Sequence, residues 1–252
     1  MLRALKERLT IQGYRTMKYP DEPVTLPERF RGYPLLNPEL SVKIKPEMLA
    51  EACPYKAISS ENGAMTFDMG RCLFCSECPV SDFVTFSNDH RLAVSSREEL
   101  LLTASSERKF ANPLHPDLKK LFGRSLKFRE VSAGGCNACE ADSNVLTTIG
   151  WDLGRFGIQF VASPRHADGL WVTGPVTENM REALLKTWEA IPAPKIVVAC
   201  GACAIAGGPF AGSPQVSIGL DSLLSVDLYI PGCPPHPVTI LDGLLRLQGR
   251  IK

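Results

Sequence analysis

The chain has 252 residues, 44% of them hydrophobic, and a formal net charge of +1. That length suits one large domain or two small ones with ordinary cores, and the near-zero charge makes no case for a nucleic-acid partner. No uncharged apolar run reaches the length of about 18 residues that spans a bilayer, and the charged first residues lack a secretory apolar segment. Nine cysteines therefore fit a reducing cytoplasm with metal-bound thiols.

Residues 1–37 form the first segment. From Leu2 to Lys18, apolar Leu2, Leu5, Leu9 and Ile11 alternate with Arg3, Lys6, Arg8, Arg15 and Lys18. The pattern fits a short amphipathic helix on a membrane surface or a partner, and equally a solvated basic helix. The stretch from Tyr19-Pro20 to Leu36-Asn37 holds four prolines and reads as an extended, docked arm.

Residues 38–105 carry the first cysteine set, Cys72-x-x-Cys75-x-x-Cys78, with Cys53 in a separate Cys-Pro step. A two-cluster bacterial ferredoxin has the run C-x2-C-x2-C-x3-C-P twice, and the fourth Cys of each run serves the other cluster. Counting back from Cys53, the first run lacks cysteines at Lys43, Pro46 and Leu49. Counting forward from Cys78, the second has Asp82 where its last Cys belongs. The four missing residues are the ligands of one cluster and the four retained ones those of the other. The pattern predicts a small ferredoxin-like α+β module that has kept one 4Fe–4S cluster. Three cysteines in seven residues fit a zinc site less well, because structural zinc usually takes two separated pairs; a disulfide framework needs an oxidising compartment.

Residues 106–125 form a linker after polar Ser105, with Ser106, Asn112, Pro113 and Pro116. Residues 126–252 read as α/β. Strand-like runs occur at Leu126–Val131, Gly157–Ala162, Leu170–Thr173, Lys195–Ala199 and Val226–Ile230. Between them lies a helix opened by Thr177 as N-cap, with Met180, Leu184 and Trp188 at four-residue spacing, and a last helix covers Val238–Leu247. The alternation predicts a doubly wound parallel sheet.

The second set is Cys136-x-x-Cys139, Cys203 in Gly201-Ala202-Cys203, and Cys233 in Pro231-Gly232-Cys233-Pro234-Pro235. Cys136, Cys203 and Cys233 each follow a strand, and loops at the carboxyl ends of parallel strands gather at one edge. Four thiols can therefore meet there to hold a second 4Fe–4S cluster; a zinc site, or a buried reduced pair plus two core cysteines, stays open. Gly134-Gly135 and Gly207-Gly208 allow close backbone approach, and the prolines stiffen the Cys233 loop. Cys200 is left as a free buried thiol. Arg165-His166 is expected near the same edge. Glu140 is either a proton relay or a helix-starting carboxylate.

Gly134-Gly135-Cys136-Asn137-Ala138-Cys139-Glu140, Ser163-Pro164-Arg165-His166-Ala167-Asp168, Gly201-Ala202-Cys203 and Pro231–Pro235 resemble the small subunit of membrane-bound, energy-converting nickel–iron hydrogenases of the formate hydrogenlyase type. That subunit is similar to the 20-kDa subunit of respiratory complex I, which has adjacent cysteines where this chain has Cys136-x-x-Cys139. Phe30-Arg31-Gly32 and Gly70-Arg71-Cys72-Leu73-Phe74-Cys75 resemble the ferredoxin-like subunit of the same complexes, here fused to the other module. The resemblance implies a flavodoxin-like second half and an electron relay through two 4Fe–4S clusters. It places Gly135, Gly201 and Arg165 at the second cluster. The implied partners are a catalytic large subunit (nickel–iron, or the 49-kDa-like subunit of complex I) and further electron-transfer and membrane subunits. The chain would then sit peripherally on the inner face of the cytoplasmic membrane. A complex I-like quinone oxidoreductase subunit and a zinc-stabilised interaction module are the alternatives. No catalytic residue is expected: His90, His115, His166 and His236 are scattered, and no G-x-G-x-x-G fingerprint occurs.

Overall fold

The computed structural model describes residues 2–13, 15–37, 51, 53–61, 64–75 and 83–251. The first helix, α1 (Leu2–Glu7), continues into a π-helical turn, Arg8–Gln12. The proline-rich arm then lies extended to β1 (Pro34–Leu36). Next come β2 (Ile58–Glu61), β3 (Ala64–Asp68), β4 (Val84–Phe86) and β5 (Leu101–Leu102). β1 pairs antiparallel with β4, and β2-β3-β5 form a second small antiparallel sheet. Residues 38–105 thus supply the β2-β3-β5 sheet and β4, whose partner β1 belongs to the arm.

α2 (Pro116–Phe122) opens on a proline, whose missing N–H costs nothing at a first helical position, and the His115 ring accepts from the Asp117 N–H. Beyond it the chain alternates as expected, through β6 (Leu126–Ser132), α3 (Ala138–Val145), β7 (Ile158–Phe160) and β8 (Gly169–Thr173). Then follow α4 (Glu178–Ala190), β9 (Ile196–Cys200), α5 (Ala202–Ala206), β10 (Leu228–Ile230) and α6 (Pro237–Leu247). The five strands form one parallel sheet in the order β10-β9-β8-β6-β7, the flavodoxin-like winding. β8, β9 and β10 are buried along their whole length, as a sheet covered on both faces requires.

Helix α4 starts where Thr177 was expected to cap it, but the Thr177 hydroxyl makes no capping bond. Its side chain instead lies against Gly134, where an added Cβ would meet Thr177 Cγ2 at 2.5 Å.

The two halves of the chain share their interior. Phe67, Met69 and Leu100 pack in one core with Ile205, Ala206, Leu220 and Tyr229. The arm's Tyr19 and Leu26 join Phe128, Trp171, Val198, Ile240 and Leu244 on the other side of the sheet. At the β10 edge Val94 pairs with Tyr229, covering backbone groups that an exposed edge would offer to other chains. The Tyr19 hydroxyl donates to Asp242 Oδ1 (2.7 Å), and Arg246 Nε donates to Asp242 Oδ2 (2.8 Å), all three side chains being buried.

Candidate metal centre

The second cysteine set converges. Cys136 lies in the loop after β6 and Cys139 in the first turn of α3; Cys203 is in α5, just beyond β9, and Cys233 in the loop after β10. Cys139 is buried, Cys203 half-buried, and Cys136 and Cys233 are exposed. The thiols are near enough to shift one another's ionisation. Burial first, then the charges of Cys233 and Cys136, pushes Cys203 up to about 12. Burial, followed by Cys203, drives Cys139 far above the ordinary thiol range. Such a group stays protonated by itself, whereas a cationic metal group reverses the balance and holds all four as thiolates.

The backbone is shaped around these sulfurs. Gly201 has φ +91°, and a Cβ there would stand 2.5 Å from Cys139 Sγ. Gly208 has φ +56°, and a Cβ there would stand 2.5 Å from Cys203 Sγ. Both positions require glycine for conformation and for space. The Gly201 N–H is committed to the Ile230 carbonyl (2.8 Å), so its contribution to the cradle is steric. Gly135 abuts the Gly174 backbone at the gap between β6 and β8, where the strand order reverses. Among the described residues, no three His, Cys, Asp or Glu side chains are placed to hold a single metal ion.

Of the first set, Cys53, Cys72 and Cys75 are placed, while Cys78 lies outside the described residues, as do Lys43, Pro46, Leu49 and Asp82. Cys53 Sγ accepts from the Ala57 N–H (3.4 Å) and Cys72 Sγ from the Phe74 N–H (3.2 Å). Backbone donors to sulfur are what a metal-bound thiolate uses to spread its charge. Phe74 and Lys56, beside these cysteines, both hold positive φ (53°), a conformation that non-glycine residues keep only where the surroundings impose it. Arg31 donates to the Phe74 carbonyl, pinning the arm to the Cys72–Cys75 loop.

One thiol of the first set comes near one of the second. The Cys75 charge is felt at Cys233, and a cleft of about 240 Å³ separates Phe30–Arg31 and Leu73–Phe74 from the Pro231–His236 loop. His236 stands edge-on to Phe30 at 5.5 Å in the same cleft.

One expected residue sits elsewhere. Arg165 is exposed, in a 3-10 turn (Pro164–His166) that runs from β7 to β8. Asp168, just after it, bonds Lys127 at the amino end of β6, so the turn is not among the segments gathered at the carboxyl edge. Cys200 is fully buried at the end of β9, and its thiol bonds Ser143. Glu140 is buried, with Oε1 accepting from Ser132 (2.5 Å) and Thr173 (2.7 Å). Sequence reasoning missed Glu130, whose buried Oε1 has no hydrogen-bond partner among the described residues and lies opposite Trp171, whose Nε1 has none there either. Burial, helped by the nearby Glu140 charge, pushes the Glu130 carboxyl up to about 7. The sequence carried little signal: Glu130 is one of three charged residues, with Lys127 and Arg129, in the strand-like stretch Leu126–Val131.

Residues 136–247 match the model of the NADH ubiquinone oxidoreductase 20 kDa subunit family. A probable membrane-bound hydrogenase subunit (mbhJ) of Pyrococcus furiosus is 43% identical over 144 residues, 57% of this chain and 86% of the relative. The chain belongs to this family. Formate hydrogenlyase subunit 7 of Escherichia coli is 43% identical over 135 residues, 54% of this chain and 53% of that relative. An NADH-quinone oxidoreductase subunit of Heliobacterium modesticaldum is 40% identical over 121 residues, 48% of this chain and 69% of the relative. The family's relatives are thus subunits of hydrogenase-type and complex I-like oxidoreductases. In this chain the matched region begins at Cys136, the first thiol of the converging set.

Proposed function

We propose that this chain is the electron-relay subunit of a membrane-bound nickel–iron hydrogenase-type complex, with one 4Fe–4S cluster per cysteine set. Residues 38–105 would hold one on Cys53, Cys72, Cys75 and Cys78, and residues 126–252 the other on Cys136, Cys139, Cys203 and Cys233. The observation that carries the reading is the cradle at the carboxyl edge, where Gly201 and Gly208 leave room only for the Cys139 and Cys203 sulfurs. When bound, such clusters exchange single electrons at potentials between roughly −700 and +450 mV. The chain's own part is to hold the thiols, to aim N–H groups at Cys53 and Cys72, and to bring Cys75 opposite Cys233. In this reading the second set lies against a catalytic large subunit and the first toward the other redox partner.

The Cys136-x-x-Cys139 spacing favours the hydrogenase form over the adjacent cysteines of the quinone-linked relatives. The chain catalyses nothing alone and sits at the inner membrane face through its partner subunits. Anaerobically purified protein is expected to contain about eight iron and eight sulfide, two cubes of four. Stoichiometric zinc with little iron would overturn the reading, and about twelve iron would show that the first module kept both clusters.

A further inference from the structure

The stretch Leu2–Gln12 is a helix that joins neither hydrophobic core among the described residues. None of the described side chains of α1 and its π-helical continuation is buried, and Leu2, Leu5, Leu9 and Ile11 are 83%, 55%, 71% and 75% exposed. An isolated helix of this length is marginal in water, so its stability has to come from something that covers it. Leu2, Leu5 and Leu9, at i, i+3 and i+7, share one side, and Arg3, Lys6 and Arg8 lie between them.

Charge identifies the cover. Residues 1–18 carry Arg3, Lys6, Arg8, Arg15 and Lys18 against a single acid, Glu7, a net +4, which leaves −3 on the other 234 residues of a +1 chain. A leucine stripe flanked on both sides by long basic side chains matches a flat anionic interface. The leucines enter the acyl region while the Lys and Arg stems reach back to phosphate. A protein groove, by contrast, selects its helix by a mixed charge pattern, and α1 has no acid other than Glu7. The helix is tethered rather than loose. Beyond Gly13, Thr16 Oγ1 donates to the Ile149 carbonyl (3.0 Å) and Met17 N–H to the Gly150 carbonyl (2.8 Å). Ile149 is itself exposed, which continues the apolar character at the root of the helix.

We propose that Leu2–Gln12 is a lipid-docking helix of this chain, lying in the plane of an anionic bilayer surface and adding a direct lipid contact to the attachment that partner subunits provide. The test is flotation of the purified full chain with vesicles of phosphatidylglycerol and phosphatidylethanolamine, beside vesicles of phosphatidylcholine alone. Wild-type protein is expected to float with the anionic vesicles, and its partitioning is expected to drop steeply when salt is raised to about 1 M, where the Debye length shrinks to about 3 Å. Leu5→Glu with Leu9→Glu is expected to lower partitioning by roughly tenfold or more, and Arg3→Glu with Lys6→Glu to remove the preference for anionic lipid. These side chains are exposed, and the Arg3–Glu7 ion pair (3.5 Å) is a surface i, i+4 contact within the helix, so thermal melts of the variants should match wild type and exclude misfolding as the cause. Failure of the wild-type chain to float with anionic vesicles, or equal flotation of the Leu5/Leu9 variant, overturns the proposal. Loss of complex assembly in that variant, with wild-type protein ignoring both vesicle types, would assign the helix to a protein partner and overturn it too.

Discussion

At the scale of single residues, two neighbouring thiols separate cleanly. Cys203 belongs to the converging group and feels Cys233 and Cys136, whereas Cys200, three residues earlier, points into the core and bonds Ser143. Cys203→Ser is expected to lose or convert the second cluster's EPR signal, and Cys200→Ser to leave it intact. The reverse pattern would mean that the wrong thiol has been assigned. Glu130 makes a different kind of prediction. Its carboxyl ionises near 4.5 in the unfolded chain and near 7 when folded. The folded state therefore holds an extra proton between those values, and stability present below pH 4.5 is lost as pH rises through 7. Glu130→Gln removes that loss, worth up to about 3 kcal/mol for a shift of this size. Melts should show the variant stabilised at pH 8 and the advantage shrinking at pH 5; an equal difference at both would rule the ionisation out. The cysteines were legible in the sequence because thiol spacing is itself the chemistry. Glu130 was not, because its neighbours Glu140 and Trp171 come from other elements.

At the scale of elements, the strands were legible because the second half writes each one as a short run holding β-branched and aromatic or aliphatic residues. All five expected strands are present with ends shifted by at most two residues. The parallel winding then follows from their alternation with helices. What the sequence could not show is that Thr177 makes no capping bond to α4 and packs its side chain against Gly134, 43 residues away. The β9–α5 turn is the element on which the site depends most. Gly201 there combines φ +91° with a neighbour, Cys139 Sγ, that cannot retreat without leaving the thiol group. Gly201→Ala adds backbone strain of about 1–2 kcal/mol and pushes on that sulfur. The expected result is protein that still folds but holds about four iron instead of eight, with only the first set's signal left. Full iron content in Gly201→Ala would show that the turn does not shape the site.

At the scale of the whole molecule, the two halves of the chain share their cores, and a charged pair in an apolar helix shows how they are joined. α6 is buried along its entire length, yet it carries Asp242 and Arg246, four residues apart and almost completely enclosed. In the sequence they look like an ordinary surface i, i+4 pair; only the fold reveals that they face the arm. Asp242 takes the Tyr19 hydroxyl on one oxygen and Arg246 on the other. His90, from the first half, approaches the same hydroxyl at 3.3 Å, and Arg246 stacks on Phe110 of the linker at 4.4 Å. Arm, first module, linker and last helix thus meet at one buried carboxylate. Its partner is the difficulty in removing it: Asp242→Ala leaves the Arg246 guanidinium enclosed and without its counter-charge, a defect of about 3–5 kcal/mol. Tyr19→Phe removes only one hydrogen bond and should cost about 1–2 kcal/mol. Because the cores are shared across the halves, the loss from Asp242→Ala should appear as one shifted cooperative transition, not as early melting of a single module. Circular dichroism and cluster absorbance would then fall together on heating. Two separated transitions would show that the modules are independent bodies and that the Tyr19–Asp242–Arg246 junction does not bind them into one.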